Sequence, residues 1–249
     1  MNGLIALAVL ILFSCNNKKV YKEVARTDKF DEDIVLIGVG DSSRAQIAAL
    51  LHNIDKCSPA VVGVDVIFAQ EKQAFDDSIL YKAFENLEND ILAWVITSTG
   101  EQVRSIDQIR KFADAEGYIN FDKREGVASH FVPISNFEGR LYESFALKVF
   151  KKWKPDFKYD IVPDQSIPIS FRRTLKQYYY FVQKDLLDAN VRDFLKNKIV
   201  LVGNLGPGIQ DKEFTPIRSN DKDQEGKPDT YGLVIQANAI RTILEYEKK

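Results

Sequence analysis

The chain has 249 residues, 45% hydrophobic and 28% charged, an ordinary globular composition long enough for one large domain or two small ones. Its 34 basic and 36 acidic side chains leave a formal charge of -2, so no overall positive field argues for nucleic acid, and none is expected as a partner. Two histidines and two cysteines, without a CxxC pair, exclude a Cys/His zinc cluster, and setting Cys15 aside leaves Cys57 with no disulfide partner.

Residues 3–14, GLIALAVLILFS, are uncharged and apolar. A membrane helix needs about 20 such residues and a secretory core roughly 7–15, so export is the better reading. The end of the run, Leu12-Phe13-Ser14-Cys15, resembles a bacterial lipobox, which makes Cys15 the candidate lipid-attachment residue. The alternative is a piece of a longer membrane helix. Residues 1–15 are therefore expected to be a signal peptide or short anchor, placing the rest beside a membrane. Residues 16–33 are polar and aperiodic and read as a tether, with Lys18, Lys19 and Lys22 suited to anionic headgroups.

The body is expected over residues 34–249. Residues 34–40, IVLIGVG, read as a strand covered on both faces. Asp41-Ser42-Ser43 can cap a following helix whose apolar positions Ile47, Leu50, Leu51 and Ile54 keep a 3.6-residue period. Residues 61–68 form a second buried-type strand, giving a βαβ unit. Asp76-Asp77 suit the first turn of another helix, and residues 91–96 supply a third strand. Residues 117–121 and 128–134 read as strands paired around the turn 122–126. Helices are predicted over 144–153, stopped by Pro155, and over 186–195 and 233–246; strands over 167–171, 178–182 and 198–203. The pattern predicts a single α/β domain, three-layered, with a mostly parallel mixed sheet, helices on its faces and an added β-hairpin.

The stretch that follows the last core strand, NLGPGIQDKEFTPI, brings Asp211 and Thr215 to the carboxyl end of a strand, where open α/β sheets bind ligands. Its glycines match neither a Walker loop nor a dinucleotide fingerprint, and Pro207 removes an amide donor, so no nucleotide cofactor is expected. Asp41, Asp65 and Asp211 sit at or in strands; their convergence would suit a carboxylate-metal hydrolase, whereas separate capping and loop-ordering roles need no metal. His52, His130 and Cys57 lack the setting of a catalytic group and read as structural. The basic and aromatic run at 172–181 reads as a solvated strand edge.

Several markers together resemble the second type of CHASE domain, an extracytoplasmic sensory module of bacterial histidine kinases, nucleotide cyclases and related receptors. They are Val64-Asp65-Val66-Ile67-Phe68, Asp76-Asp77, Gly117-Tyr118-Ile119-Asn120 with Asp122 and Gly126-Val127, then residues 198–203, Asp211 with Thr215-Pro216, and residues 232–239. Gln236 stands where that family often has histidine, and the turn after Gly40 lacks its tryptophan-proline pattern. The resemblance implies a sensor without catalysis, cofactor or metal, outside the cytoplasm, recognising a small ligand or an envelope protein. The chain ends where a typical member continues into membrane helices. Position at strand ends, in the glycine loop and on the closing helix makes Asp41, Arg44, Asp65, Asp211, Thr215 and Asn238 the ligand-binding candidates. A carboxylate-metal hydrolase of the envelope and a structural envelope lipoprotein are the alternatives.

Overall fold

Ile34–Gly38 (β1) is buried along its whole length, as a strand needs to be when helices cover both faces of its sheet. The computed structural model describes residue 27 and residues 29–158, 160–206, 211–217 and 226–246. The first half continues with α1 (Arg44–Asp55), β2 (Val61–Asp65), α2 (Ala74–Asn86), β3 (Asp90–Ile96), β4 (Gln102–Val103), α3 (Asp107–Arg110) and β5 (Ala115–Tyr118). Small strands β6 (Asp122–Arg124), β7 (Val127–Phe131), β8 (Ile134–Phe137) and β9 (Arg140–Glu143) lead to α4 (Phe145–Trp153). The chain then runs through β10 (Ile167–Pro168), β11 (Tyr179–Val182), α5 (Ala189–Leu195), β12 (Ile199–Gly203), β13 (Lys212–Glu213), β14 (Thr230–Tyr231) and α6 (Gly232–Tyr246).

The main sheet has the order β11-β1-β12-β2-β3-β5, parallel throughout, with β4 added antiparallel to β3. The pleat sends alternate residues to opposite layers. Ile34, Leu36, Ile199 and Leu201 face α4 and α6, whereas Val35, Ile37, Val200 and Val202 face α1, α2, α3 and α5. The result is the predicted α/β architecture: a mostly parallel sheet between two helical layers, with small antiparallel sheets at the side.

Helix starts follow their caps. Ser43 caps α1 through a reciprocal pair with Gln46, and Ser144 accepts from Leu147 N to start α4. The seven apolar side chains that α6 buries (Leu233, Val234, Ile235, Ala237, Ala239, Ile240 and Ile243) hold it far more firmly than helix propensity could, at about 1.5–3 kcal/mol for each large one.

The strands predicted over 61–68 and 167–171 stop at Asp65 and Pro168, and two predicted elements differ in pairing or continuity. Residues 117–121 do not pair with 128–134: Ala115–Tyr118 joins the main sheet beside β3, and the hairpin is β6 with β7, turning at Glu125-Gly126. Gly117 explains the placement, because α4 lies directly on it; a Cβ there would sit 2.5 Å from Phe145 Cα and 2.6 Å from Phe145 N. The helix predicted over 186–195 is divided into a 3-10 turn, Gln183–Leu187, and α5, because Asp188 accepts from Asn190 N and caps a fresh start.

Asp31, in the segment read as a tether, is buried: its Oδ1 accepts from Ile34 N at 2.9 Å and its carboxylate pairs with Arg241. No helix among the described residues is long and apolar enough to cross a membrane. Cys15, Lys18, Lys19 and Lys22, and Pro207 and Gly208 of the glycine loop, lie outside the described residues.

Candidate functional site

A cleft of about 1040 Å³ opens beyond the carboxyl ends of the parallel strands, where this class of sheet places its ligands. Val39 and Gly40 after β1, residues 65–70 from the end of β2, and Asn204 after β12 form its floor. Ile119 to Phe121 after β5 and the first turns of α6 close one side.

Asp65 and Asp211 both reach this cleft. Asp65 ends β2 in register with Gly203, and that glycine is required by close approach: a Cβ there would lie 2.9 Å from Leu233 Cδ1 and 3.3 Å from Asp65 Cβ. Burial, and then the charge of Asp211, push the Asp65 carboxyl up to about 7. Asp211 adopts a left-handed backbone with φ 64°, a conformation that short polar side chains tolerate. Its carbonyl accepts from Gly232 N at 2.8 Å and its Oδ2 from Asn204 Nδ2 at 2.6 Å, so the loop, the β12 end and α6 are tied together.

Arg44 also lines the cleft, but its guanidinium is already engaged. It donates to Asp77 Oδ1 and to the Gln70 carbonyl and lies 5.6 Å over the Phe68 ring, which pins the segment between β2 and α2. Burial raises the Asp77 carboxyl, yet the bonds from Arg44 and Lys72 N outweigh it and hold the group below the usual carboxylate range. Asp77 thus serves a buried ion pair as well as the first turn of α2.

The remaining candidates are not brought to the cleft. Asp41 is exposed and outside its lining, and Ser43 performs the capping. Thr215 is buried and donates to the Ile217 carbonyl at 3.0 Å, with Thr230 Oγ1 2.8 Å away. Asn238, fully buried in α6, accepts from Arg172 N and Arg173 N and donates to the carbonyls of Arg173 and Val234. It fastens the segment after β10 to α6.

Among the described residues no three His, Cys, Asp or Glu side chains are placed to share a metal ion, so Asp41, Asp65 and Asp211 do not assemble the carboxylate triad that the hydrolase alternative requires. Cys57 is buried, donates to the Asn53 carbonyl at 3.0 Å, and burial pushes its thiol up, which makes it inert. His52 is exposed on α1, and His130 lies beside Ser129 Oγ at 2.8 Å, its pKa lowered by burial and Arg124.

Asn204 and Gln236 belong to the cleft and were not among the candidates. A signal existed for each. Asn204 is the first polar residue after an apolar strand, and Gln236 lies one turn beyond Gly232 and Leu233, on the same face of the helix.

The model of the CHASE2 domain family matches residues 25–249. The chain belongs to the CHASE2 family. CHASE2 domains are sensory modules of signalling proteins and are typically extracytoplasmic. A match was found neither among curated proteins nor among solved structures.

Proposed function

We propose that this CHASE2 chain is a noncatalytic sensor whose strand-end cleft receives a small ligand outside the cytoplasm. The observation that carries the reading is the meeting of Asp65, Asp211 and the first turns of α6 in one cleft at the carboxyl edge of the sheet. The same cleft argues against a purely structural lipoprotein, which needs no polar pocket beside β12.

A thermal-shift screen of the full chain against small metabolites tests this, because a specific ligand raises stability by mass action, by about 2.7 kcal/mol at 100 times its Kd. Ala69, exposed at the cleft, supplies the control: Ala69→Trp is expected to abolish the response of every hit by filling the entrance. Hits that act equally on the variant would place the ligand elsewhere and sink the proposal.

Anchorage belongs to the same reading: the apolar run and Cys15 hold the sensor at the membrane. Labelling with a radioactive fatty acid is expected to mark the wild type and to leave Cys15→Ala unmarked; label on both would refute lipidation at Cys15.

A further inference from the structure

Four residues of the cleft wall have their side-chain donors engaged, whereas Ser43, Gln70 and Gln73 are exposed at its mouth. Asn204 Nδ2 serves Asp211, Asn120 Nδ2 serves the Ile96 carbonyl at 2.7 Å, Arg44 serves Asp77 and Gln70, and Lys123 is paired with Glu213 at 2.7 Å. Lys72 is exposed at the mouth, in the field of Asp77.

The acceptors are not satisfied in the same way. No donor among the described residues reaches the Asp65 carboxylate, and Asp211 has one oxygen beyond the one that Asn204 occupies. Gln236 is the decisive residue, because it is 2% exposed and lines the cleft. Its Nε2 donates to the Ile119 carbonyl at 3.3 Å, and its Oε1 accepts from no described donor. That oxygen is not sealed in the core but opens on the cleft, where a ligand donor can reach it.

From this geometry we infer that the cleft takes its ligand by a protonated primary amine, seated among Asp65, Asp211 and the Gln236 amide oxygen. This rests on the cleft being the sensory site. An ammonium carries three N–H donors and no acceptor, which matches three acceptors of net negative charge. A bare metal ion is a poorer fit, since among the described residues no three acidic, His or Cys side chains converge. Leu233, Phe68 and Phe121 offer apolar surface to the carbon body of the ligand.

The probe is n-butylamine, compared with 1-butanol and butyrate, followed by heteronuclear NMR of the full chain at pH 8. Butylamine is expected to give saturable shifts at Asp65, Asp211 and Gln236, while butanol and butyrate leave them unmoved. Asp65→Asn should weaken it at least about tenfold, which corresponds to about 1.4 kcal/mol, and Gln236→Met should weaken it with Asp65 intact. Affinity should fall from pH 8 to pH 6, because Asp65, its carboxyl pushed up to about 7 by burial and then by the charge of Asp211, takes up a proton and loses the charge that attracts the amine. Absence of a saturable response, preferential binding of butyrate, or equal binding by Asp65→Asn overturns the inference. If a screen hit without an amine still depends on Ala69, the cleft reading stands and the amine alone fails; if no hit depends on Ala69, both fail.

Discussion

Asp90 opens β3 with its side chain fully buried, Oδ1 accepting from Asp114 N at 3.2 Å and Oδ2 meeting no partner. Burial pushes this carboxyl from its ordinary 3.8 up to about 7, although the Asp114 amide pulls the other way. The folded chain therefore holds this proton more tightly than the unfolded chain. Relative to a group that never ionises, Asp90 costs nothing below pH 4, and its penalty grows as pH rises towards 7 and beyond. The full displacement corresponds to roughly 4 kcal/mol at most. Asp90→Asn keeps the acceptor for Asp114 N and never ionises, so it is expected to be more stable than the wild type at pH 8, by up to about 4 kcal/mol, and similar at pH 4. Urea unfolding at both pH values checks this, and an equal difference at the two would show that ionisation of Asp90 is not the cause.

Elements differ in how plainly their residues announce them. Strands β1, β2, β3 and β12 are buried on both faces, so each appears as an apolar run that polar surface cannot mimic. Residues 117–121 were harder, since their apolar content suits either a hairpin or the main sheet; what decides is the close packing of α4 on Gly117, a long-range contact without a local sign. The site divides along the same line. Asp65, Asp211 and Arg44 could be expected in the cleft because Asp65 ends a core strand and the other two lie in the segments that follow one. Thr215 and Asn238 also carry polar groups near those ends, but their side chains bond inward to backbone carbonyls and amides, and nothing in local spacing distinguishes a ligand contact from such an internal bond. The burial of Asp31 was equally hidden, because its partner Arg241 lies 210 residues away.

At the scale of the whole molecule, α6 joins two distant features. Its first turns line the cleft through Gly232, Leu233 and Gln236, and about one and a half turns beyond Gln236 its Arg241 grips Asp31, three residues before β1. Asp31 is 1% exposed and receives Arg241 Nε at 2.6 Å, with Arg173 Nε at 3.5 Å, while Arg241 also reaches Asp33 at 2.8 Å. The segment that precedes β1 is thus held by the helix that walls the cleft, so a shift of α6 on ligand binding would be felt where the chain enters the domain. Such a buried pair contributes little net stability compared with apolar packing, but losing one partner strands the other charge, at about 3–5 kcal/mol. Asp31→Ala is expected to lower the unfolding free energy by that amount, and Arg241→Ala by a similar or smaller one. Their double variant should lose clearly less than the sum, because the second removal relieves a charge that the first left unpaired. Denaturant unfolding of the four proteins measures the cycle. Strictly additive losses would mean that Asp31 and Arg241 act separately, and that α6 does not link the cleft to the entry of the chain through this pair.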